Sequence, residues 1–243
     1  MTGKVYLVGA GPGDPEYLTL QAQQCLQSAE VLIYDALIDP RILDLVPANC
    51  DRIAVGKRGG AESTPQATIN QLLVEHCQQG RKVIRLKSGD PFVFGRAASE
   101  LDALERSGCD YAVLPGLSTA LAAPLLAGIP ITDPVLSRGF AVYTVHEPDA
   151  LNWEALAQLE TLILLMGSRH LLTIGHELIR HGRSPDSPVA LIQWAGHPQQ
   201  TVLESSLSRM AQQWGDQPLS PCVIVIGEVV RLRKYWAHYR YDG

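Results

Sequence analysis

An aspartate and a lysine, Asp35 and Lys57, stand just past two successive apolar runs, residues 31–34 and 52–55, of this 243-residue chain. A carboxylate and an ammonium from neighbouring strand ends can work as an acid/base pair in proton transfer. Taken singly, each residue also suits a plainer role: Asp35 a turn or helix cap, and Lys57, with Arg58, a solvated basic turn. The run RLKSGDPFVFGR, residues 85–96, asks for more explanation. Gly89 permits close backbone approach, Asp90 offers an acceptor and Pro91 fixes a turn, where a simple connection needs only one or two of these.

A second glycine-rich turn, GAGPGD at residues 9–14, follows the first apolar run and invites comparison with a dinucleotide-binding loop. Asp14 stands where that loop has its last glycine, and Pro12 removes a backbone donor from any phosphate cradle. A ligand without phosphate, approached by bare backbone, fits the turn better. The seven histidines show no metal-ligand spacing; His176 and His181 are five apart, off a single helical face, so no metal site is expected.

The elements that position these residues follow from periodicity. Strands are predicted at 5–8, 31–34, 52–55, 83–86 and 111–114, alternating with amphipathic helices at 16–29, 64–79 and 97–107. Gly80 and Gly108 sit where helix C-terminal caps belong, and Ser118 opens an Ala/Leu-rich helix that runs to residue 127. This β-α-β alternation implies a mostly parallel sheet covered by helices, with ligands expected at the carboxyl ends of its strands. Beyond the proline-bearing segment 128–139, read as a linker, strands are predicted at 140–145, 161–166, 189–193, 201–205 and 222–228. Helices are predicted at 152–158, 168–181 and 206–214, and the pair joined by WAGHPQQ reads as an antiparallel hairpin, so the second sheet should be mixed. The expected division is therefore an N-terminal α/β domain over 1–133 and a C-terminal α/β domain over 138–243.

Hydrophobic residues make up 46% and charged residues 19% of the chain, enough apolar material for sizeable cores. A net charge of −5 argues against nucleic acid as the main partner and leaves room for an acidic small molecule. Five scattered cysteines fit reduced thiols rather than a disulfide framework. No apolar run reaches the ~18 residues of a membrane span, so no membrane role is expected and the chain reads as cytoplasmic.

The pieces VYLVGAGPGDPEYLTL, YDAL, VGKR, RLKSGDPFVFGR, LPGLSTALAAPLLAGIPIT, LILLMG and VIGEVVRLR, in this order and spanning nearly the whole chain, resemble the tetrapyrrole methylase family, and most closely its members acting on uroporphyrinogen III. The resemblance implies two α/β domains with S-adenosylmethionine in the trough between them, in a homodimer. It implies methyl transfer to carbons 2 and 7 of uroporphyrinogen III, giving precorrin-2 for sirohaem or cobalamin. Cofactor contacts would be Pro12, Ser88, Gly89, Asp90, Val93, Ser118, Thr119, Met166 and Ala195. Asp35 matches the family's proton acceptor, Lys57 its proton donor, and Arg96 an arginine that engages the tetrapyrrole. Four places depart from the family pattern: Thr132-Asp133-Pro134, Ser99, Thr144-Val145-His146 and Gln193-Trp194-Ala195-Gly196. A methylase acting on a later corrin intermediate and a non-catalytic S-adenosylmethionine-binding protein remain alternative readings.

Overall fold

Alternation between short β-branched runs and amphipathic segments builds two α/β units, divided between Ser118 and Thr119. The computed structural model describes residues 3–56, 64–215 and 217–236.

In the first unit, β1 (Lys4–Gly9), β2 (Val31–Asp35), β3 (Asp51–Val55), β4 (Lys82–Lys87) and β5 (Asp110–Leu114) form one sheet in the order β3-β2-β4-β1-β5. Every pairing is parallel, as the alternating pattern requires. Both faces are covered. Val5, Leu7, Val31, Ile33 and Val83 pack with α3 (Gln66–Gln78) and α4 (Ala97–Arg106). Val8, Leu32, Ile84 and Leu86 pack on the other face with α1 (Leu20–Leu26) and α2 (Pro40–Leu43).

The expected 16–29 helix is shorter than its periodicity. Asp14 accepts from the Glu16 amide and opens a single 3₁₀ turn, Pro15–Tyr17, and Thr19 then caps α1 by accepting from the Ala22 amide. Helix α2 has too few residues to show a period; Asp39 caps it and Pro40 starts it.

In the second unit, β6 (Phe140–Thr144), β7 (Thr161–Leu165), β8 (Pro188–Gln193), β9 (Thr201–Ser206) and β10 (Cys222–Ile226) form a sheet in the order β6-β7-β10-β8-β9. Only β6 and β7 are parallel; the β8–β9 hairpin and both β10 pairings are antiparallel, giving the mixed sheet. One face packs on α6 (Trp153–Ala157), α7 (Leu171–Arg180) and α8 (Met210–Trp214). The other packs on α5 (Thr119–Leu126) and on Val229 and Val230. The segment 128–139 lies within this unit and contributes Ile129 to its core. Helix α8 starts later than the pattern predicts because Ser206 still belongs to β9.

Candidate functional site

At the carboxyl ends of β1, β4 and β5, three loops meet backbone on backbone. A β-carbon placed on Gly116 would lie 2.3 Å from the Gly89 carbonyl oxygen, and one on Gly9 would lie 2.5 Å from the Gly116 nitrogen. Gly11 and Gly89, both at positive φ, exchange two hydrogen bonds of 3.2 and 2.8 Å. The glycines of the two motifs are therefore interlocked, which only residues without a side chain allow. Asp90 fastens the junction: its Oδ2 accepts from the Gly116 amide at 3.1 Å and its Oδ1 from the Phe92 amide at 2.8 Å.

The junction bears on which ligand fits. The amides of Ala10 and Gly11 donate to Lys87 and Gly89 carbonyls, and the buried Pro12 has no amide hydrogen. Three successive positions of the turn thus offer no free backbone donor to a pyrophosphate. What faces solvent is apolar: Phe92 is 67% exposed, with Val93 and Phe94 exposed beside it. The Asp90 carboxylate together with exposed apolar surface suits a sulfonium-bearing nucleoside such as S-adenosylmethionine, and the residues present fit that group.

Asp35 ends β2, with its side chain 31% exposed. Arg85 donates from Nη2 to its Oδ1 at 2.5 Å, and the Ser88 amide approaches Oδ2 at 3.4 Å. Arg85 and Lys87 continue the face of β4 that carries Val83, and both are buried with Glu100 of α4. The Glu100 Oε1 accepts from Arg85 Nε at 3.0 Å and from Lys87 Nζ at 2.8 Å. Its Oε2 is buried without a hydrogen-bond partner among the described residues. Burial, then the charge of Arg85, pushes the Lys87 ammonium to a lower pKa, against the pull of Glu100 and Asp35. Sequence reasoning assigned no role to these three residues. The signal was available: two cations two residues apart in a buried strand require a buried carboxylate.

Arg96 stands just ahead of α4 at φ 56°, and Phe94 at φ 53°; both side chains are exposed. Met166 (φ 57°) follows β7 with half its surface exposed, and Trp194 (φ 50°) follows β8. These four are the non-glycine residues at positive φ among those described. Such backbone is costly for large side chains and clusters at functional sites. Ala195 is buried, its methyl in the apolar core with Ile192 and Val223, so its backbone is the part left for a ligand. Ser118 and Thr119, at the start of α5, are half-buried. Lys57 lies outside the described residues.

Three departures from the family pattern have local structural roles. Asp133 accepts from the Val135 and Leu136 amides, which hold its carboxyl below the usual range. Ser99 accepts from Asn70 at 3.0 Å, and Val145 is fully buried in the second unit's core. Among the described residues no cluster of His, Cys, Asp and Glu could hold a metal ion, and no helix is long and apolar enough to cross a membrane.

Comparison with known proteins gives concordant matches. An S-adenosyl-L-methionine-dependent uroporphyrinogen III methyltransferase of Methanosarcina barkeri is 41% identical, covering 95% of this chain and 93% of that protein. Siroheme synthase 2 of Aeromonas salmonicida is 44% identical over 98% of this chain but only 50% of its own length. The chain thus spans about half the length of the siroheme synthases it matches. The structure of uroporphyrin-III C-methyl transferase from Thermus thermophilus in complex with S-adenosylhomocysteine superposes with a TM-score of 0.82 at 37% identity, covering 95% of this chain and 94% of that one. The family model for Tetrapyrrole (Corrin/Porphyrin) Methylases matches residues 4–211, and the chain belongs to that family.

Proposed function

We propose that the chain is an S-adenosylmethionine-dependent C-methyltransferase that methylates uroporphyrinogen III at positions 2 and 7, giving precorrin-2. The observation that carries this reading is the partly exposed Asp35 carboxylate at the end of a buried strand, held by the Arg85 guanidinium and the Ser88 amide. The names of the Methanosarcina and Thermus relatives support the same substrate.

S-adenosylmethionine supplies an electrophilic methyl carbon. The chain's own part is positioning and proton handling. Holding a pyrrole carbon in line with that methyl is worth up to roughly 7–11 kcal/mol of barrier. Methylation leaves a proton to be removed from the ring system, and Asp35 is the acceptor in this reading, with Lys57 as the donor. Arg96 is exposed and always charged, and it engages a substrate carboxylate. Pro12, Ser88, Gly89, Asp90, Val93, Ser118, Thr119, Met166 and Ala195 contact the methyl donor. The protein works as a cytoplasmic homodimer; five free cysteines, four of them buried, suit a reducing compartment.

Anaerobic incubation with uroporphyrinogen III and S-adenosylmethionine tests the reading. Product two methyl groups heavier than substrate supports it, and methyl-donor binding without transfer to this tetrapyrrole overturns it.

A further inference from the structure

Four ionisable groups from three elements meet under the strand ends of the first unit. Arg85 and Lys87 come from β4, Glu100 from α4 and Asp35 from β2, with the neutral Gln66 of α3 donating to Glu100 at 3.4 Å. Three of the four are buried, and only Asp35 reaches solvent. Both cations share one oxygen of Glu100, so Glu100 balances one positive charge and leaves the other to Asp35. The guanidinium is the mechanical link. Its Nε is fixed by Glu100, its Nη1 donates to the Leu86 carbonyl at 3.1 Å, and its Nη2 is thereby aimed at Asp35.

We propose that Arg85, clamped by Glu100, is a positioning residue that holds Asp35 in place as a carboxylate, and that Lys87 supplies the second buried cation of that balance. This rests on Asp35 being the proton acceptor of the proposed reaction. The guanidinium never touches substrate. With Asp35 charged, the set carries two cations against two carboxylates, three of the four groups being buried. Burial, and then the Arg85 charge, lower the proton affinity of Lys87, and the charges of Glu100 and Asp35 act against that lowering.

The charge balance gives a readout that simple loss of packing would not. Arg85→Gln and Lys87→Met each remove a cation and should move the acid limb of the pH profile of kcat/KM upward. Glu100→Gln removes an anion and should move it downward. Each variant should lose about tenfold or more in kcat while keeping its dissociation constant for S-adenosylmethionine within about twofold. The double variant Asp35→Asn/Arg85→Gln should be no slower than Asp35→Asn alone. Where a variant fails to fold, judged by methyl-donor binding in calorimetry, the remaining two substitutions carry the same opposed shifts. The titration of the Asp35 carboxyl carbon, followed by NMR in the resting protein, reads those shifts without turnover. A wild-type protein that transfers no methyl group would therefore overturn the proposed reaction, while the titration still decides the role of Arg85. Limbs and titrations that stay in place, or losses that multiply in the double variant, overturn the positioning role.

Discussion

Arg96 holds its left-handed backbone directly before α4, and its guanidinium is exposed. Arg96→Ala should leave methyl-donor binding unchanged and lower turnover of the tetrapyrrole by about ten- to a hundredfold, as expected for losing a charge-assisted contact. Calorimetry for binding and product mass for turnover check this, and full activity would remove Arg96 from the reaction. Asp35, Gly89 and Asp90 were legible as candidates because their types recur in short motifs next to apolar runs. Arg85 and Lys87 signalled a buried carboxylate but not that it is Glu100. Their partnership spans 13 to 15 residues and depends on which face of β4 looks at α4, which spacing alone does not give.

At the level of elements, the loops after β1, β4 and β5 behave as one piece because their glycines leave no room between them. Gly116→Ala should separate them, costing about 2–4 kcal/mol in urea unfolding and weakening methyl-donor binding. Gly139→Ala, where an added β-carbon meets nothing within 4 Å, should change stability by less than about 0.5 kcal/mol. Equal effects would remove the junction from the account. The strand pattern was readable because period-2 and buried runs differ plainly from helical spacing. Helix ends were less so: a capping hydroxyl at Thr19 overrides a period that continues on both sides of it.

On the scale of the whole molecule, each unit closes its own core, and the second is tied by a buried arginine. Arg183 donates to the carbonyls of Leu159, Glu160 and Ile226 at 2.6, 3.1 and 3.2 Å, joining the ends of three segments. Arg183→Met should cost roughly 3 kcal/mol in unfolding free energy, through carbonyls left without donors. Burial also lifts the Cys222 thiol, pushed up to about 12. Above its ordinary value of about 8.5 the unfolded chain loses that proton and the folded chain keeps it, so stability falls as pH rises. The urea midpoint should drop more between pH 8 and 10.5 in the wild type than in Cys222→Ala; parallel curves would contradict the shift. The mixed second sheet was foreseeable from its one hairpin, whereas Arg183 gave no sequence signal, because an arginine after a glycine reads as an ordinary surface loop. Phe94, Arg96, Met166 and Trp194, finally, set a trap for protein engineering. Glycine at any of them would relieve about 1–2 kcal/mol of backbone strain. A library screened only for heat tolerance should enrich those replacements, including at Arg96 and Met166, whose side chains the proposed reaction uses.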